Sequence, residues 1–385
     1  MRKKIAVILS RFPFPLDKGD KLRAYHQIKY LSQDFDIYLF SLHTEKVPPL
    51  SLKEVEPFCK EIFLYPISYV DILKGILFSM IHHLPIQVGY FFSKRIKKEI
   101  ANRINSLQIS TAYCQLSRTA LYAEDLRCKK VLDLQDAFST NYERLSENTG
   151  GIQKIFYKRE YKTMLAFEKK LLGSFDKCTI ISAFDKSQID DPSHAIIVIP
   201  NGVDTGYYAT SNNVEAYDLL FVGNLSYLPN KNAVYYLVQN ILPHLLKTHP
   251  NIRVRIVGAD TPKEIFALAS ASVLVSGFVA EIREVYDTAK IFVAPLFTGA
   301  GLQNKILEAM SMHIPCITTS VVNKSLDAQH QTHLLIANNE QEFVTQIELL
   351  LASEDMRIHL SSKARQFVEQ QFSWDTANKK LKEIL

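Results

Sequence analysis

The chain has 385 residues, 47% hydrophobic and 22% charged, with only 13 Gly and 15 Pro. This excludes a disordered, collagen-like or low-complexity protein and is ample for the cores of two or three domains. The formal net charge of +5 is uneven: residues 1–195 hold 30 Lys and Arg against 22 Asp and Glu, and residues 196–385 hold 15 against 18. With an acidic second half and no RNA- or DNA-binding motif, no nucleic-acid partner is expected.

Taken in chain order, Ile5–Leu9 is too short for a secretory signal and suits a buried first strand. Further strands are expected at Asp36–Ser41, Ser110–Cys114, Lys130–Leu134, Lys177–Ser182 and Ala195–Ile199. Helical patterns fall near Asp20–Ser32, Arg95–Ser106 and in one long stretch at Tyr142–Leu172. The longest charge-free run, Gly75–Ser93, carries His82, His83, Pro85 and Gln87 at its centre, so it reads as buried or interfacial helix and loop rather than a membrane span. It runs directly into Lys94-Arg95-Ile96-Lys97-Lys98. Such a cluster is either a solvated helix face or a contact with an anionic membrane surface.

The second half starts a new series: Asp218–Val222, Arg253–Val257, Val273–Ser276, Ile291–Ala294, Pro315–Thr319 and Leu334–Ala337. Continuous apolar runs, not alternating ones, are what a parallel sheet covered on both faces requires. Two such series imply an α/β protein of two doubly wound domains, with a turn-rich seam near Pro200–Asn213. Ligands in such folds collect at the carboxyl ends of the strands, and two facing sheets would enclose a cleft. Five cysteines stand apart with no C-x-x-C pair, pointing to reduced thiols in a cytoplasm.

The motif survey is mostly negative. No G-x-G-x-x-G follows a strand, so Gly19 and Gly223 stand alone after theirs; Walker, G-x-S-x-G and H-E-x-x-H motifs are also missing. The informative segment is Val293–Met310. There a strand ends at Pro295, the loop Gly299-Ala300-Gly301 follows, and a helix begins. Free N–H groups at a helix start make an anion site. On that helix Asn304, Lys305 and Glu308 share a face, while Leu302, Ile306 and Met310 point elsewhere. Lys305 could neutralise a diphosphate and Glu308 could hold a ribose diol; an ordinary amphipathic helix with one i,i+3 salt bridge would look the same.

In the first half, three segments stand at expected strand ends: Gly19–Arg23, Cys114–Arg118 and Asp133–Tyr142. Asp136 either caps a helix, a role for which Ser139 competes, or touches ligand. Arg118 either binds an acidic or phosphorylated acceptor or pairs with Asp133 or Asp136. His82-His83 suits a loop or apolar helix rather than a site, and Trp374 an anchor for the final helix.

Pro200-Asn201-Gly202-Val203-Asp204, Phe221-Val222-Gly223, Ser276-Gly277-Phe278-Val279 and Asn304-Lys305-Ile306-Leu307-Glu308-Ala309-Met310 occur in this order. Together they resemble the retaining glycosyltransferases of family 4, whose fold is GT-B. Arg11–Arg23 is also similar to a subgroup associated with bacterial exopolysaccharide export systems. The resemblance implies an acceptor-binding domain at 1–199, a nucleotide-sugar domain at 200–371, and a terminal helix at 372–385 that crosses back to the first domain. It implies a nucleotide-diphosphate sugar as donor, a saccharide or lipid-linked acceptor, and neither cofactor nor metal. The cysteine pattern puts the expected location in the cytoplasm, and the basic cluster at 94–98 puts a peripheral contact on the inner membrane surface beside it.

The implied donor set is the ribose ligand Glu308, the backbone at Phe278 and Val279 for the base, Gly19 for close main-chain approach, and the loop and helix Gly299, Ala300, Gly301, Leu302, Asn304 and Lys305 beside Gly223. Two positions depart from the pattern. Ala300 stands where the family usually has a Glu on the donor sugar. Asn224 and Lys231 stand where it has an Arg and a Lys on the diphosphate. Lys305, Asp136 and Arg118 are the expected catalytic groups. With no evident carboxylate nucleophile, a front-face transfer with retention is expected. The alternatives are a nucleotide-sugar 2-epimerase using Asp133 or Asp136, and a catalytically degenerate nucleotide-sugar-binding subunit.

Overall fold

The computed structural model describes residues 2–147, 149–189, 191, 195–209, 215–298 and 301–385. The chain divides into two compact units, Met1–Pro200 with Ala377–Leu385, and Asn201–Thr376. Each is built on its own parallel sheet.

In the first unit the strands are β1 (Lys3–Leu9), β2 (Phe35–His43), β3 (Glu61–Pro66), β4 (Thr111–Gln115), β5 (Lys129–Gln135), β6 (Lys177–Ile180) and β7 (Ile196–Val198). Among the described residues they form one sheet in the order β3-β2-β1-β4-β5-β6-β7. Successive side chains of a strand leave opposite faces. Accordingly Ile5, Val7 and Leu9 enter one hydrophobic cluster, with Ala24, Ile28, Leu381 and Leu385, while Ala6 and Ile8 enter another, with Ile96, Ile100 and Met164. Every one of these residues is buried, because helices cover both faces of the sheet.

Three expectations need correction. Strand β3, Glu-Ile-Phe-Leu-Tyr-Pro, is an edge strand with polar ends, and its two-sided burial is incomplete, so it lacks the continuous apolar signature of its neighbours. The stretch expected as one helix at Tyr142–Leu172 is two, Phe138–Glu147 and Gly151–Ser174. Gly150 is extended and Gly151 has φ +59°, a conformation that interrupts an α-helix. Asp136 does not start a helix either: the helix begins at Phe138, and Ser139 inside it donates to Glu168 Oε2 at 2.6 Å.

In the second unit the strands are β8 (Tyr217–Val222), β9 (Val254–Val257), β10 (Val273–Ser276), β11 (Ala289–Ala294), β12 (Cys316–Thr318) and β13 (Leu335–Ile336). Among the described residues the order is β10-β9-β8-β11-β12-β13, all parallel. The strand order reverses beside β8, the first strand of the series, which is where an open parallel sheet leaves room for a ligand outside its carboxyl ends. Trp374 opens the helix Trp374–Ile384 and packs against Gly202, where an added Cβ would come within 2.5 Å of the indole.

Candidate functional site

At the carboxyl end of β8 the chain turns at Gly223, and at the end of β9 it turns at Gly258. A Cβ on Gly258 would lie 1.8 Å from the Gly223 carbonyl oxygen, so the two turns touch backbone to backbone. A Cβ on Gly223 would in turn meet the Asn230 amide at 2.9 Å and Lys305 Cε at 3.2 Å. The two glycines therefore let the β8 turn lie directly against the start of the helix Asn304–Ser311.

That helix starts without a side-chain cap: Gln303, at the N-cap position, offers none. Instead the Gln303 side chain accepts from Lys305 Nζ at 2.7 Å, and Asn230 Oδ1 accepts from the same ammonium at 3.1 Å. Lys305 is half-buried, and burial pushes its pKa down to about 8 against the opposing effect of Glu308. Asn304 Oδ1 is buried with no hydrogen-bond partner. A helix start with its N–H groups uncapped beside one half-buried cation is suited to a polyanionic group.

One turn along, Glu308 is held by tyrosines rather than by Lys305. Tyr286 Oη donates to Glu308 Oε2 at 2.9 Å, and the Tyr208 hydroxyl bonds the same carboxylate. Burial raises the Glu308 pKa, and the tyrosines and Lys305 oppose this only in part. The i,i+3 salt bridge allowed by spacing is not formed, since the Lys305 ammonium is turned toward Asn230 and Gln303.

The positions that depart from the resemblance are engaged elsewhere. Asn224 donates to Asp260 Oδ2 at 2.9 Å and accepts from Ser226. Lys231 Nζ pairs with Glu264 at 2.8 Å. Both residues serve the surface of the turn. Asn230, not singled out in the sequence, is the one that faces Lys305; one residue along a helix is a rotation of about 100°, which separates the directions of Asn230 and Lys231. Gln303, Tyr208 and Tyr286 were missed too, because their role depends on contacts between separate segments. Phe278 is exposed and Val279 half-buried in the loop after β10, and neither main-chain N–H has a partner among the described residues. Gly301 and Leu302 lead into the Asn304 helix, with Leu302 packed on the core. Gly299 and Ala300 lie outside the described residues.

In the first unit, Gly19 begins the helix Gly19–Leu31 in open space. Asp20 Oδ2 accepts from Arg118 at 3.2 Å and from Arg11 at 3.1 Å. Arg118 thus pairs with Asp20, not with Asp133 or Asp136 as the spacing allowed. Asp133 is taken by the buried Arg23, whose Nε donates to it at 2.6 Å, with Tyr113 and Thr179 also donating. Arg118 lies over the Phe91 ring, and its Nε is buried without a partner. Burial and the neighbouring Arg11 lower its pKa to about 10. Asp136 is half-buried just past β5, and burial with nearby Asp185 pushes its pKa up to about 6. The side-chain amides of Gln115 and Gln135, at the ends of β4 and β5, are also unsatisfied, and Leu116 and Gln135 both have positive φ. Strained backbone and unpaired polar groups at adjacent strand ends mark a polar site.

No group of three or more His, Cys, Asp or Glu suited to a metal occurs among the described residues. The Asp-x-Asp at Asp34-Phe35-Asp36 lies at the amino end of β2, where Asp34 pairs with Lys382 and Asp36 faces Lys60.

The same architecture occurs in solved structures that match over nearly their whole length. Sucrose-phosphate synthase from Thermosynechococcus elongatus superposes with a TM-score of 0.74 at 14% identity, covering 100% of this chain and 98% of that one. Anabaena HepE in complex with UDP gives 0.70 at 14% identity, covering 99% and 98%. WaaG, a glycosyltransferase involved in lipopolysaccharide biosynthesis, gives 0.67 at 14%, covering 99% of each.

The fold is GT-B.

Residues 216–353 match the family model described as "Glycosyl transferases group 1". This match covers the sheet and helices that carry Lys305 and Glu308, and with the GT-B fold it supports a glycosyltransferase. A Klebsiella pneumoniae protein described as an uncharacterized 44.6 kDa protein in the cps region is 24% identical over 89% of this chain and 90% of its own length. Among the described residues, no helix is long and apolar enough to cross a membrane.

Proposed function

We propose that the protein is a retaining glycosyltransferase of the family 4 type, moving a sugar from a uridine diphosphate sugar to a saccharide or lipid-linked acceptor in cell-surface polysaccharide synthesis. One observation carries the reading: a half-buried lysine beside an uncapped helix start, with a tyrosine-held carboxylate one turn further on. The uridine assignment draws on the Anabaena neighbour, whose structures hold UDP, UDP with glucose, and UDP-glucose. The polysaccharide assignment draws on the cps-region relative.

Under this proposal Lys305 and the helix N–H groups stabilise the departing diphosphate, where charge develops. Glu308 accepts the ribose hydroxyls, and Tyr286 and Tyr208 fix its carboxylate. The free N–H groups of Phe278 and Val279 meet the base, and Gly301 and Leu302 bound the phosphate loop. In the first unit Gly19 offers open main chain, and Arg118 and Asp136 are assigned to the acceptor. Glu308, engaged by two tyrosines, is poorly placed as a nucleophile. This favours front-face transfer, in which the departing phosphate takes the acceptor proton. A trapped covalent glycosyl–protein adduct would contradict it. Lys305 supplies the cation that the Asn224 and Lys231 positions do not, and no metal or cofactor is required.

The test is a thermal-shift panel with UDP, GDP, ADP, dTDP and CDP on the wild type and Glu308→Ala. Ligand at 100 times its dissociation constant adds about 2.7 kcal/mol of stability. The expected result is a shift with UDP that the variant loses, with affinity falling by about 1–3 kcal/mol. An equal shift in Glu308→Ala would remove Glu308 from the site, and no shift with any nucleotide would overturn the donor-site assignment.

A further inference from the structure

The helix Tyr69–Ile81 of the first unit is amphipathic the wrong way round for a soluble protein. Its fully buried residues are Gly75 and Ser79. Its exposed ones include Tyr69, Val70, Leu73, Leu77, Met80 and Ile81, each more than half exposed. The cause lies in its packing. A Cβ on Gly75 would stand 2.0 Å from the carbonyl oxygen of Gly89, and one on Gly89 would stand 2.7 Å from Ser79 Cβ. Small residues let the backbones of this helix and the helix Ile86–Tyr90 touch, so the small face is turned inward and the large apolar side chains outward. The apolar positions recur at three- and four-residue spacing and form one continuous stripe. The helix is fixed at its start by a capping box between Ser68 and Asp71, so the stripe is a built surface.

Cations border this stripe. Lys74 is exposed on the helix itself, and Lys94, Arg95 and Lys98 are exposed at the start of the helix Lys94–Ser106. Lys94 lies over the Phe78 ring, and Lys74, Lys94 and Lys98 make no ion pair among the described residues. The nearby acid, Asp71, is occupied by Ser68, Ser93 and Arg95. Between the two helices runs a groove of about 510 Å³ with Leu77, Phe78 and Ile81 in its wall and Lys74, Lys94 and Arg95 around it. A second exposed apolar group, Ile152, Ile155 and Phe156, opens the helix Gly151–Ser174 beside exposed Lys154 and Lys158. It adjoins the loop that leaves the first helix: Arg159 donates to the Leu84 carbonyl at 3.2 Å, and the Ile86 N–H donates to Glu160 at 2.8 Å.

We propose that the exposed faces of Tyr69–Ile81 and of the first turns of Gly151–Ser174 seat the first unit on an anionic lipid bilayer. Exposed large apolar side chains enter the boundary between headgroups and acyl chains, and the flanking lysines meet the anionic headgroups. Charge chooses this occupant over a second copy of the chain, because two copies joined through this face would bring Lys74, Lys94 and Lys98 against their like. The inference does not depend on the donor site.

The experiment is vesicle flotation of the full chain. One vesicle set is phosphatidylcholine alone; the other contains roughly one-third phosphatidylglycerol, enough for a strongly negative surface. The protein is expected to float with the anionic set, to stay behind with the neutral set, and to be released by salt. The double variant Leu73→Asp, Leu77→Asp should lose flotation while keeping the wild-type circular dichroism spectrum and a cooperative thermal unfolding transition. Lys94→Ala with Lys98→Ala should lower partition by roughly fivefold per charge removed. Equal flotation with neutral vesicles, undiminished flotation of both variants, or no flotation of the wild type would overturn the proposal. A dimer in sedimentation that the Leu73/Leu77 variant dissolves would assign the face to a second copy instead.

Discussion

Removing the positive charge of Lys305 is the sharpest test of the donor site. The ammonium is half-buried, is held by Gln303 and Asn230, and has a pKa near 8. Two unit charges about 4 Å apart interact with about 4 kcal/mol at an effective dielectric of 20; allowing for competing solvent, about 3 kcal/mol is expected between Lys305 and a bound diphosphate. That energy raises the lysine pKa in the complex by about two units, to roughly 10. The sign follows from linkage. The free protein loses the proton near pH 8 and the complex retains it to roughly 10, so UDP affinity falls as pH rises between these values. From pH 7 to 9 the fall is about tenfold. The diphosphate itself is about nine-tenths or more ionised throughout, since phosphate second ionisations lie near 6. Lys305→Met should weaken UDP by about 150-fold at pH 7 and abolish the pH dependence. Titration calorimetry with UDP at both pH values reads this directly, with uridine, whose ring N–H begins to ionise in the same range, as the control that subtracts the base's own share and that Lys305→Met should leave unchanged. Affinity that is flat from pH 7 to 9 in the wild type, or unchanged in Lys305→Met, would refute the placement of the diphosphate against this ammonium.

Two further predictions concern stability. Gly258→Ala places a methyl 1.8 Å from the Gly223 carbonyl oxygen and should destabilise the second unit by about 3 kcal/mol in urea unfolding; Gly173→Ala, in a helix with nothing within 4 Å, should instead stabilise by about 0.5 kcal/mol. A neutral Gly258→Ala would show that the two turns can separate freely. Glu168 is fully buried, and burial raises its pKa to about 7, so in the native state it holds a proton that the unfolded chain releases near 4.5. Its contribution is present below pH 4.5 and lost as pH rises through 7, a change of about 3 kcal/mol. Glu168→Gln should therefore gain on the wild type by about that amount between pH 5 and 8; parallel stability profiles would contradict it.

Much of the architecture was legible without coordinates. Strands such as Ile5–Leu9 and Ile291–Ala294 are continuous apolar runs because helices bury both sheet faces, and only a covered parallel sheet needs that pattern. Edge strand β3 escaped because an edge is less fully covered and its ends are polar. The two-helix break at Gly150-Gly151 was likewise local, yet it was hidden within a long periodic stretch.

The sequence by itself determined the helix face on which Lys305 and Glu308 stand, since residues three apart on a helix are neighbours whatever surrounds them. Tertiary structure decided what each of them meets. Lys305 turns to Asn230, 75 positions away, and Glu308 to Tyr286, 22 positions away, because the Gly223 and Gly258 turns allow segments remote in sequence to come into contact. It also decided Arg118, which joins Asp20 across 98 positions rather than the closer aspartates. The Gly75–Ser93 region shows the same division. Composition announces an apolar helix beside a basic one, but periodicity does not say which side faces inward. The close approach of Gly75 and Gly89 settles that, because small residues permit a backbone contact that the large apolar side chains would prevent.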